Sequence, residues 1–504
     1  MYCQVIKWMF FSAKSKLKHL VINGSEDGLA LTSVEAECNG VHVYGSRYGV
    51  VVSNATVSFS DCVFSSSPRF GAGINLSSPS KVVLTRCLIV GGQYGIISHS
   101  AQHWLKITDC TIRNITADAI HLEHSNTETT TPATLLLHRN LFSDNSRAVH
   151  VDHNVGIDIL VEATDNVIES ASVNAGNQEN GISVSGFYIN LEAVGTQAHV
   201  TLQGNTFRDL PHSAVNLSRC YGSPLLGNHS TVVIGNNLTR ISQTAVVIQC
   251  ADTAATLIQS NTFLQNIMNV GPSCLYISSG DVGNRSSIEL RIDRNDFREN
   301  SGTNVGRIVK SGNPSLSPGG VSGLSEFVSN TLADNFPRDS AIYSEYPDLR
   351  MHFNTFSNQR ARFELRAGFP ADQVANCTFN WWGVSTEDGI ATRIFDHSDL
   401  SSVGSVAYVP FLNFSLFSCA QLSDCSGHGS CIYHDTCLCD AGWSGSNCSA
   451  QSCADVYDCS GHGQCEGPNL CRCDSGWLQP DCSSASCIQQ SNCSNRGVCS
   501  SPNV

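Results

Sequence analysis

Residues 201–217 read Thr201-Leu-Gln-Gly-Asn205-Thr-Phe207-Arg-Asp-Leu-Pro-His-Ser-Ala214-Val-Asn-Leu217. A β-prone run is followed by Asn, one residue and a large apolar side chain, then by a polar turn and a second short alternating strand. The central signature, Asn or Cys, any residue, large apolar, recurs between residues 60 and 380. Its instances are Cys62-Val-Phe64, Cys87-Leu-Ile89, Cys110-Thr-Ile112, Asn140-Leu-Phe142, Asn166-Val-Ile168, Asn205-Thr-Phe207, Asn236-Asn-Leu238, Asn261-Thr-Phe263, Asn295-Asp-Phe297, Asn330-Thr-Leu332, Asn354-Thr-Phe356 and Cys377-Thr-Phe379. The second strand recurs in Ala119-Ile-His-Leu122, Ala148-Val-His-Val151 and Ala245-Val-Val-Ile248. These twelve rungs are 23 to 39 residues apart, too irregular for helical solenoids of fixed period. The spacing fits coils of short strands joined by turns of variable length.

The pattern predicts an all-β chain whose larger part is a right-handed parallel β-helix, a solenoid. Coils stacked about 4.8 Å apart set identical side chains above one another, and twelve of them span roughly 50 Å. Phe and Ile then fill a continuous core, and Asn amides hydrogen-bond along the stack. Cys62, Cys87 and Cys110 take the Asn position at one end and read as a column of buried small apolar residues. A disulfide between neighbours there needs side-chain directions that parallel stacking opposes. Cys220 and Cys250, at nearly matching positions, are the preferred bridge between coils. The ladder ends in Asn380-Trp-Trp-Gly383, then Ile394-Phe-Asp396 and Tyr408-Val-Pro-Phe-Leu412. A solenoid must cover its last apolar layer, and the paired tryptophans suit that task.

Fifteen of the 24 cysteines fall in the last 86 residues, in rows that begin at Cys419, Cys453 and Cys487. The first runs Cys419-x5-Cys425-x5-Cys431-x5-Cys437-x-Cys439-x8-Cys448; the second repeats every interval through Cys453, Cys459, Cys465, Cys471, Cys473 and Cys482; the third stops after Cys487, Cys493 and Cys499. Units too small for a core of their own are stapled by disulfides, which persist outside the reducing cytosol. Spacing alone leaves fifteen pairings per six-cysteine module. The expected division is 1–27 irregular, 28–383 β-helix, 384–416 cap and linker, 417–450 and 451–484 complete cysteine modules, and 485–504 a truncated third.

At 504 residues with 41% apolar composition the chain has material for one large core and small satellites. A net charge of -14, from 43 acidic and 29 basic residues, argues against a nucleic-acid partner. Asn-x-Ser/Thr sequons start at Asn23, Asn54, Asn75, Asn114, Asn216, Asn228, Asn237, Asn284, Asn376, Asn413, Asn447 and Asn492, which fits a secreted glycoprotein surface. The opening residues Met1 to Leu20 lack the signature of a signal peptide, since Lys7 interrupts their apolar stretch. A fragment is therefore expected, with an export signal upstream and a membrane anchor downstream of Val504.

The cysteine rows resemble epidermal-growth-factor-like (EGF-like) modules of the tenascin and teneurin type, through Ser426-Gly-His-Gly-Ser-Cys431 and Gly442-Trp-Ser-Gly445. The resemblance implies the pairs Cys419–Cys431, Cys425–Cys437, Cys439–Cys448, Cys453–Cys465, Cys459–Cys471 and Cys473–Cys482. It also implies O-glycosylation at Ser430 and Ser444, and no calcium site, because acidic residues are absent just before Cys419 and Cys453. Rungs, a closing Asn-Trp-Trp-Gly, Arg393-Ile-Phe-Asp396, Tyr-Val-Pro-Phe-Leu and then such modules together resemble the extracellular region of the bark beetle (Anakonda) family of epithelial junction proteins, found where three cells meet. That likeness implies a non-enzymatic ectodomain at the cell surface, in contact with cell-surface or matrix proteins and needing no cofactor.

Many β-helices process polysaccharides, and one patch of this chain carries residue types that such chemistry uses. His121-Leu-Glu-His124 and His150-Val-Asp-His153 fall on successive coils, and strand alternation turns His121, Glu123, His150 and Asp152 outward together, with His99 alongside. Two imidazoles and two carboxylates can hold zinc or perform acid–base chemistry. An exposed strand face often carries such residues without a task, and no basic partner is evident near this patch, so neither a metal nor catalysis is assigned to them. The Gly427-His-Gly429 and Gly461-His-Gly463 tripeptides read as turns. Arg291, Arg294 and Arg298, and Arg360, Arg362 and Arg366, read as a solvated face that can meet acidic glycans. The alternative function is a secreted carbohydrate-active or carbohydrate-binding β-helix.

Overall fold

The residue before each rung takes a left-handed backbone conformation, and this repeated corner turns the chain. In the computed structural model, Asp61, Arg86, Asp109, Arg139, Asp165, Ser260, Arg294, Ser329 and Phe353 have φ between 50° and 59°, and Gly204 and Gly235 have 64° and 63°. A side chain in this conformation costs about 1–2 kcal/mol. The cost is offset because each corner amide donates to the next coil, as Asp61 does to Thr85 O and Arg86 to Thr108 O, both at 3.1 Å. The structure describes residues 15–24, 27–66, 71–99, 103–124, 132–153, 158–170, 185–191, 198–218, 229–249, 254–278, 290–309, 325–414, 419–433, 436–478, 480–488, 499, 501 and 502.

Three parallel sheets run the length of the unit that ends at Leu412. The first has thirteen strands from Ser15–Lys18 to Leu349–His352, and the second thirteen from Val21–Asn23 to Thr355–Ser357. The third has fourteen, from Asp27–Thr32 through Phe363–Ala367 to Ile394–Phe395. The coils thus begin by residue 15 rather than 28, and two coils centred on Ile22 and Val43 precede the Cys62 rung. Their sequences lack Asn or Cys at the signature position, so the motif could not find them. Thirteen full coils, not twelve, lie among the described residues.

The large apolar member of each rung points inward. Phe64, Ile89, Ile112, Phe142, Ile168, Phe207, Leu238, Phe263, Phe297, Leu332 and Phe356 are at most 1% exposed, and each contributes about 1.5–3 kcal/mol by leaving water. Beside them runs a ladder of buried asparagines. Each Oδ1 accepts both the backbone amide and the Nδ2 of the asparagine one coil back; Asn236 Oδ1 takes Asn205 N at 2.8 Å and Nδ2 at 3.0 Å. Each Nδ2 also donates to a strand carbonyl of the preceding coil, as Asn236 does to Leu202 O at 2.9 Å. The ladder runs from Asn140 to Asn380. Beyond Asn140 it continues into the cysteine column, where Cys110 N donates to Asn140 Oδ1 at 2.9 Å and Cys87 N to Cys110 Sγ at 3.2 Å. Cys62, Cys87 and Cys110 are free and buried; burial raises the Cys38 thiol to about 12, and the Cys110 hydrogen bond followed by burial raises Cys87 to about 12. Cys220 and Cys250 lie outside the described residues.

The last rung is Asn380-Trp381-Trp382, three residues beyond the expected Cys377-Thr-Phe379. Asn354 bonds Asn380, Trp381 bridges Thr355, and Trp382 stacks on Phe356 with 4.8 Å between ring centroids. Phe379 is instead the left-handed corner, and it is 43% exposed. Trp382 is therefore itself core, 0% exposed, and the cover is the chain after it, with Val384, Ile390, Ile394, Val406, Tyr408 and Phe411 packed on the core.

A second ladder, absent from the expectations, sits at the next corner. Asn266, Asn300, Asn335 and Asn358 are linked amide to amide at 2.9–3.0 Å. It ends on Glu364, whose carboxylate accepts Asn358 N at 2.8 Å and Nδ2 at 2.6 Å and pairs with Arg393. Glu364 is fully buried, and burial raises its pKa. Arg393 also bonds Asn358 O at 2.7 Å and Ala361 O at 3.3 Å. At another corner, three buried histidines cluster: His124 Nδ1 lies 2.8 Å from His153 Nδ1, and His103 bonds Ser98.

In the unit from Asn413 onward, Cys425–Cys437, Cys439–Cys448, Cys453–Cys465, Cys459–Cys471 and Cys473–Cys482 are bonded, as is Cys487–Cys499. The Cys431 side chain, and so the Cys419–Cys431 pair, lies outside the described residues, as does the Ser430 side chain. In each Gly-His-Gly the first glycine has positive φ, 72° at Gly427 and 71° at Gly461. A Cβ on the second would fall 2.7 Å from Cys448 Sγ or 2.8 Å from Cys482 Sγ. The histidine between them stacks on the module's tryptophan, His428 on Trp443 at 3.5 Å and His462 on Trp477 at 3.6 Å.

Three outcomes are expected in unfolding experiments. Asn236→Ala removes the acceptor of Asn205 N, one of the two acceptors of Asn205 Nδ2 and the donor to Leu202 O, a loss of about 3 kcal/mol or more measured by urea unfolding. Arg393→Leu strands the buried Glu364 charge and costs about 3–5 kcal/mol, and adding Glu364→Gln recovers part of that loss. His124 is held down to about 3 by burial and by His153 and His103, against about 6.5 when unfolded. Between those values the unfolded state binds more protons, so stability falls as pH falls, by at most about 1.4 kcal/mol per pH unit for this residue. Thermal unfolding from pH 7 to 5 checks this, with a flatter dependence expected in His124→Leu.

Candidate functional site

The patch on the third sheet is built by a backbone irregularity. The register pairs Asp118 with Tyr94 and Arg147, omits Ala119, and resumes at Ile120 with Ile96 and Val149. Ala119 and Ile120 are both fully buried. The simple two-residue alternation is broken there, and Asp118 comes to the same side as His121. Farther along the strand, alternation holds: His121 pairs with His150, and Glu123 with Asp152.

Asp118 is the centre of the cluster, 1% exposed. Its Oδ2 lies 2.8 Å from His121 Nδ1 and 3.3 Å from His150 Nδ1, and those two nitrogens approach to 3.2 Å. Arg147 donates to both oxygens, through Nε to Oδ1 and through Nη2 to Oδ2 at 3.3 Å. On its other edge His150 Nε2 meets Asp152 Oδ2 at 3.1 Å, and Asp152 Oδ1 accepts Asn190 Nδ2 at 3.1 Å. Tyr94 and Tyr188 flank the imidazoles, with ring centroids 5.3 Å from His121 and 5.2 Å from His150. A cavity of about 330 Å³ opens beside Arg147 and Tyr188 and is also lined by His212, Asn216 and Gln243.

Burial alone would raise the Asp118 carboxyl, but hydrogen bonds from His121, His150 and Arg147 outweigh it and hold it well below the usual carboxylate range. Burial likewise opposes charge on His150, yet Asp118 and Asp152 raise its pKa. The His150 hydrogen bond is the main reason Asp152 is lowered.

Of the residues named from the sequence, His121, His150 and Asp152 meet in this cluster. His150 is not outward and open; it is 8% exposed, covered by the residues around it. Glu123 and His99 stand apart and pair with each other at 2.9 Å in solvent. Asp118 and Arg147 were missed, and Arg147 is the basic partner that seemed absent. The signal was legible in Asp118-Ala-Ile-His-Leu-Glu-His124 and Arg147-Ala-Val-His-Val-Asp-His153, which align residue for residue and place opposite charges side by side.

The arginine runs are engaged locally. Arg291 pairs with Glu326 at 2.7 Å, Arg294 with Asp293, Arg298 with Asp296, and Arg366 with Asp339 at 2.8 Å; Arg360 and Arg362 lie over the rings of Phe336 and Phe363. Among the sequons, Asn23, Asn54, Asn114, Asn237, Asn376 and Asn413 are exposed, and Asn75, Asn216 and Asn447 are half-buried. Asn228, Asn284 and Asn492 lie outside the described residues. The Ser444 hydroxyl donates to Ala450 O at 3.3 Å.

Residues 12–192 match the family model described as right handed beta helix region, and residues 453–482 match the one described as EGF-like domain. No curated protein and no solved structure matches the chain. No helix among the described residues is long and apolar enough to cross a membrane. Fold and disulfides together define a parallel β-helix followed by EGF-like modules, in an extracellular protein, since such disulfides persist outside the reducing cytosol.

Proposed function

We propose that this chain is the extracellular part of a cell-surface adhesion or cell–cell junction protein, and that it works by protein contact rather than by turnover. The observation that carries the reading is a clamp repeated between successive EGF-like modules. Ser452 N donates to Gly442 O at 2.8 Å, and Ser486 N to Gly476 O at 2.7 Å. A Cβ on either glycine would strike a proline of the next module, Pro468 at 2.7 Å and Pro502 at 2.5 Å. The contact is too close for any side chain and recurs at the same place, so the modules stack in one fixed relation. A stalk of that kind suits an ectodomain that must hold a binding surface at a set distance. The likeness of Arg393-Ile-Phe-Asp396 and the modules to the bark beetle family favours a junctional setting, with cell-surface or matrix proteins as partners.

A secreted carbohydrate-active or carbohydrate-binding protein is the second reading, favoured by the cavity beside Arg147 and Tyr188. Against catalysis, both Asp118 oxygens are taken by donors and the carboxyl is held ionised, which suits neither a general acid nor an exposed base. Tagged full-length protein in an epithelium is expected at cell borders, most strongly where three cells meet; a diffuse luminal or matrix signal would overturn the junction reading. Purified protein is expected to leave a panel of acidic polysaccharides intact. Turnover that disappears in His121→Ala with His150→Ala would establish the enzyme instead.

A further inference from the structure

We infer that Asp118, His121 and His150 form a zinc site that staples two neighbouring coils. Their atoms Asp118 Oδ2, His121 Nδ1 and His150 Nδ1 are 2.8, 3.2 and 3.3 Å apart in pairs. Tetrahedral zinc with bonds of about 2.0–2.1 Å needs ligand atoms roughly 3.3 Å apart, so the three atoms describe one face of such a tetrahedron. Without a cation, hydrogen bonding satisfies the arrangement only when one of the two Nδ1 atoms is bare. If both Nδ1 atoms carry protons toward the same carboxylate oxygen, two N–H groups crowd each other across 3.2 Å. A cation at the centre uses all three lone pairs at once.

The surrounding residues independently point the same way. Histidines that bind metal usually donate their other ring N–H to a carboxylate, which fixes the tautomer. His150 Nε2 faces Asp152 at 3.1 Å, and Asp152 is itself held by Asn190. With the proton on Nε2, Nδ1 keeps a lone pair directed at Asp118 and His121. Arg147 Nε occupies Asp118 Oδ1 and its Nη2 reaches Oδ2 at 3.3 Å, which orients the carboxylate and leaves one Oδ2 lone pair for the imidazole side. Two imidazoles and one carboxylate form a donor set suited to zinc and to cobalt as its spectroscopic substitute. The fourth position falls to water on the side where His121 retains 13% side-chain exposure. Asp118 and His121 come from one strand and His150 from the next, so the ion cross-links coils within the third sheet.

The test uses the full chain, with Zn²⁺ or Co²⁺ alone as the probe. One equivalent of Zn²⁺ is expected by equilibrium dialysis with metal analysis, and Co²⁺ is expected to give the intense visible bands of a tetrahedral site that Zn²⁺ then bleaches. Zinc is expected to raise the thermal midpoint, and a chelator to reverse the shift. His121→Ala with His150→Ala abolishes this binding, while Asp152→Asn, which preserves shape and hydrogen bonding, weakens it by about 10–100-fold. Circular dichroism checks that each variant is folded; if the double variant is not, the Asp152→Asn affinity decides. Failure of the wild-type chain to bind one equivalent, or binding of unchanged affinity in the folded variants, would overturn the site.

Discussion

The structure depends on pairing an unfavourable backbone corner with a buried amide. A left-handed residue turns the chain out of the first sheet at every coil, and from Asn140 to Asn380 the asparagine after it saturates the polar groups that the corner would otherwise leave in the core. Its Oδ1 accepts two N–H groups and its Nδ2 caps a strand carbonyl, so one side chain answers for donors and acceptors that belong to three coils. No apolar residue does this. An apolar core alongside then stacks without interruption, Phe263 on Phe297 for example, with centroids 4.6 Å apart.

A ladder of this kind has ends, and each end is solved by different chemistry. At one end the asparagines give way to Cys110, Cys87 and Cys62, where thiols and backbone amides make weaker bonds in an otherwise apolar column. At the other, Asn380 turns its amide onto Met351 O and Cys377 O. The second ladder closes on the buried Glu364–Arg393 pair. Arg393 is followed by Ile394 and Phe395, which add a final strand to the third sheet. The Arg393-Ile-Phe-Asp396 segment is thus a structural closure: its arginine neutralises a buried acid, its apolar pair extends the sheet, and Asp396 accepts Val406 N and Ser398 N at 2.9 Å.

The cluster around Asp118 follows from the same stacking. Parallel strands in register set residue upon residue, so Asp118 meets Arg147, His121 meets His150, and Glu123 meets Asp152. Stacking alone would bring like groups together at a cost. Here the broken alternation at Ala119 and Ile120, both buried, brings a carboxylate between two imidazoles, and a group that stacking would have left isolated becomes the anchor of the site.

The sequence by itself determined the coil repeat, the parallel solenoid, the cysteine column and the modular disulfide tail, because each is a local pattern of residue types at short spacing. Its limits are equally specific. Coils at Ile22 and Val43 carry no signature residue, and the last rung lay at Asn380 rather than Cys377 because both segments fit the motif and only stacking on Asn354 and Phe356 selects one. Residues 266, 300, 335 and 358 hold asparagines in plain view, yet a second ladder exists only once coils of unequal length are brought into register. The Asp118 cluster was half legible for the same reason. Alternation places His121, Glu123, His150 and Asp152 on one face, but the bend at Ala119 that admits Asp118, and the covering that buries His150, are set by neighbouring coils. Sequence fixes what each strand can present; register between strands more than twenty residues apart decides which of those groups touch.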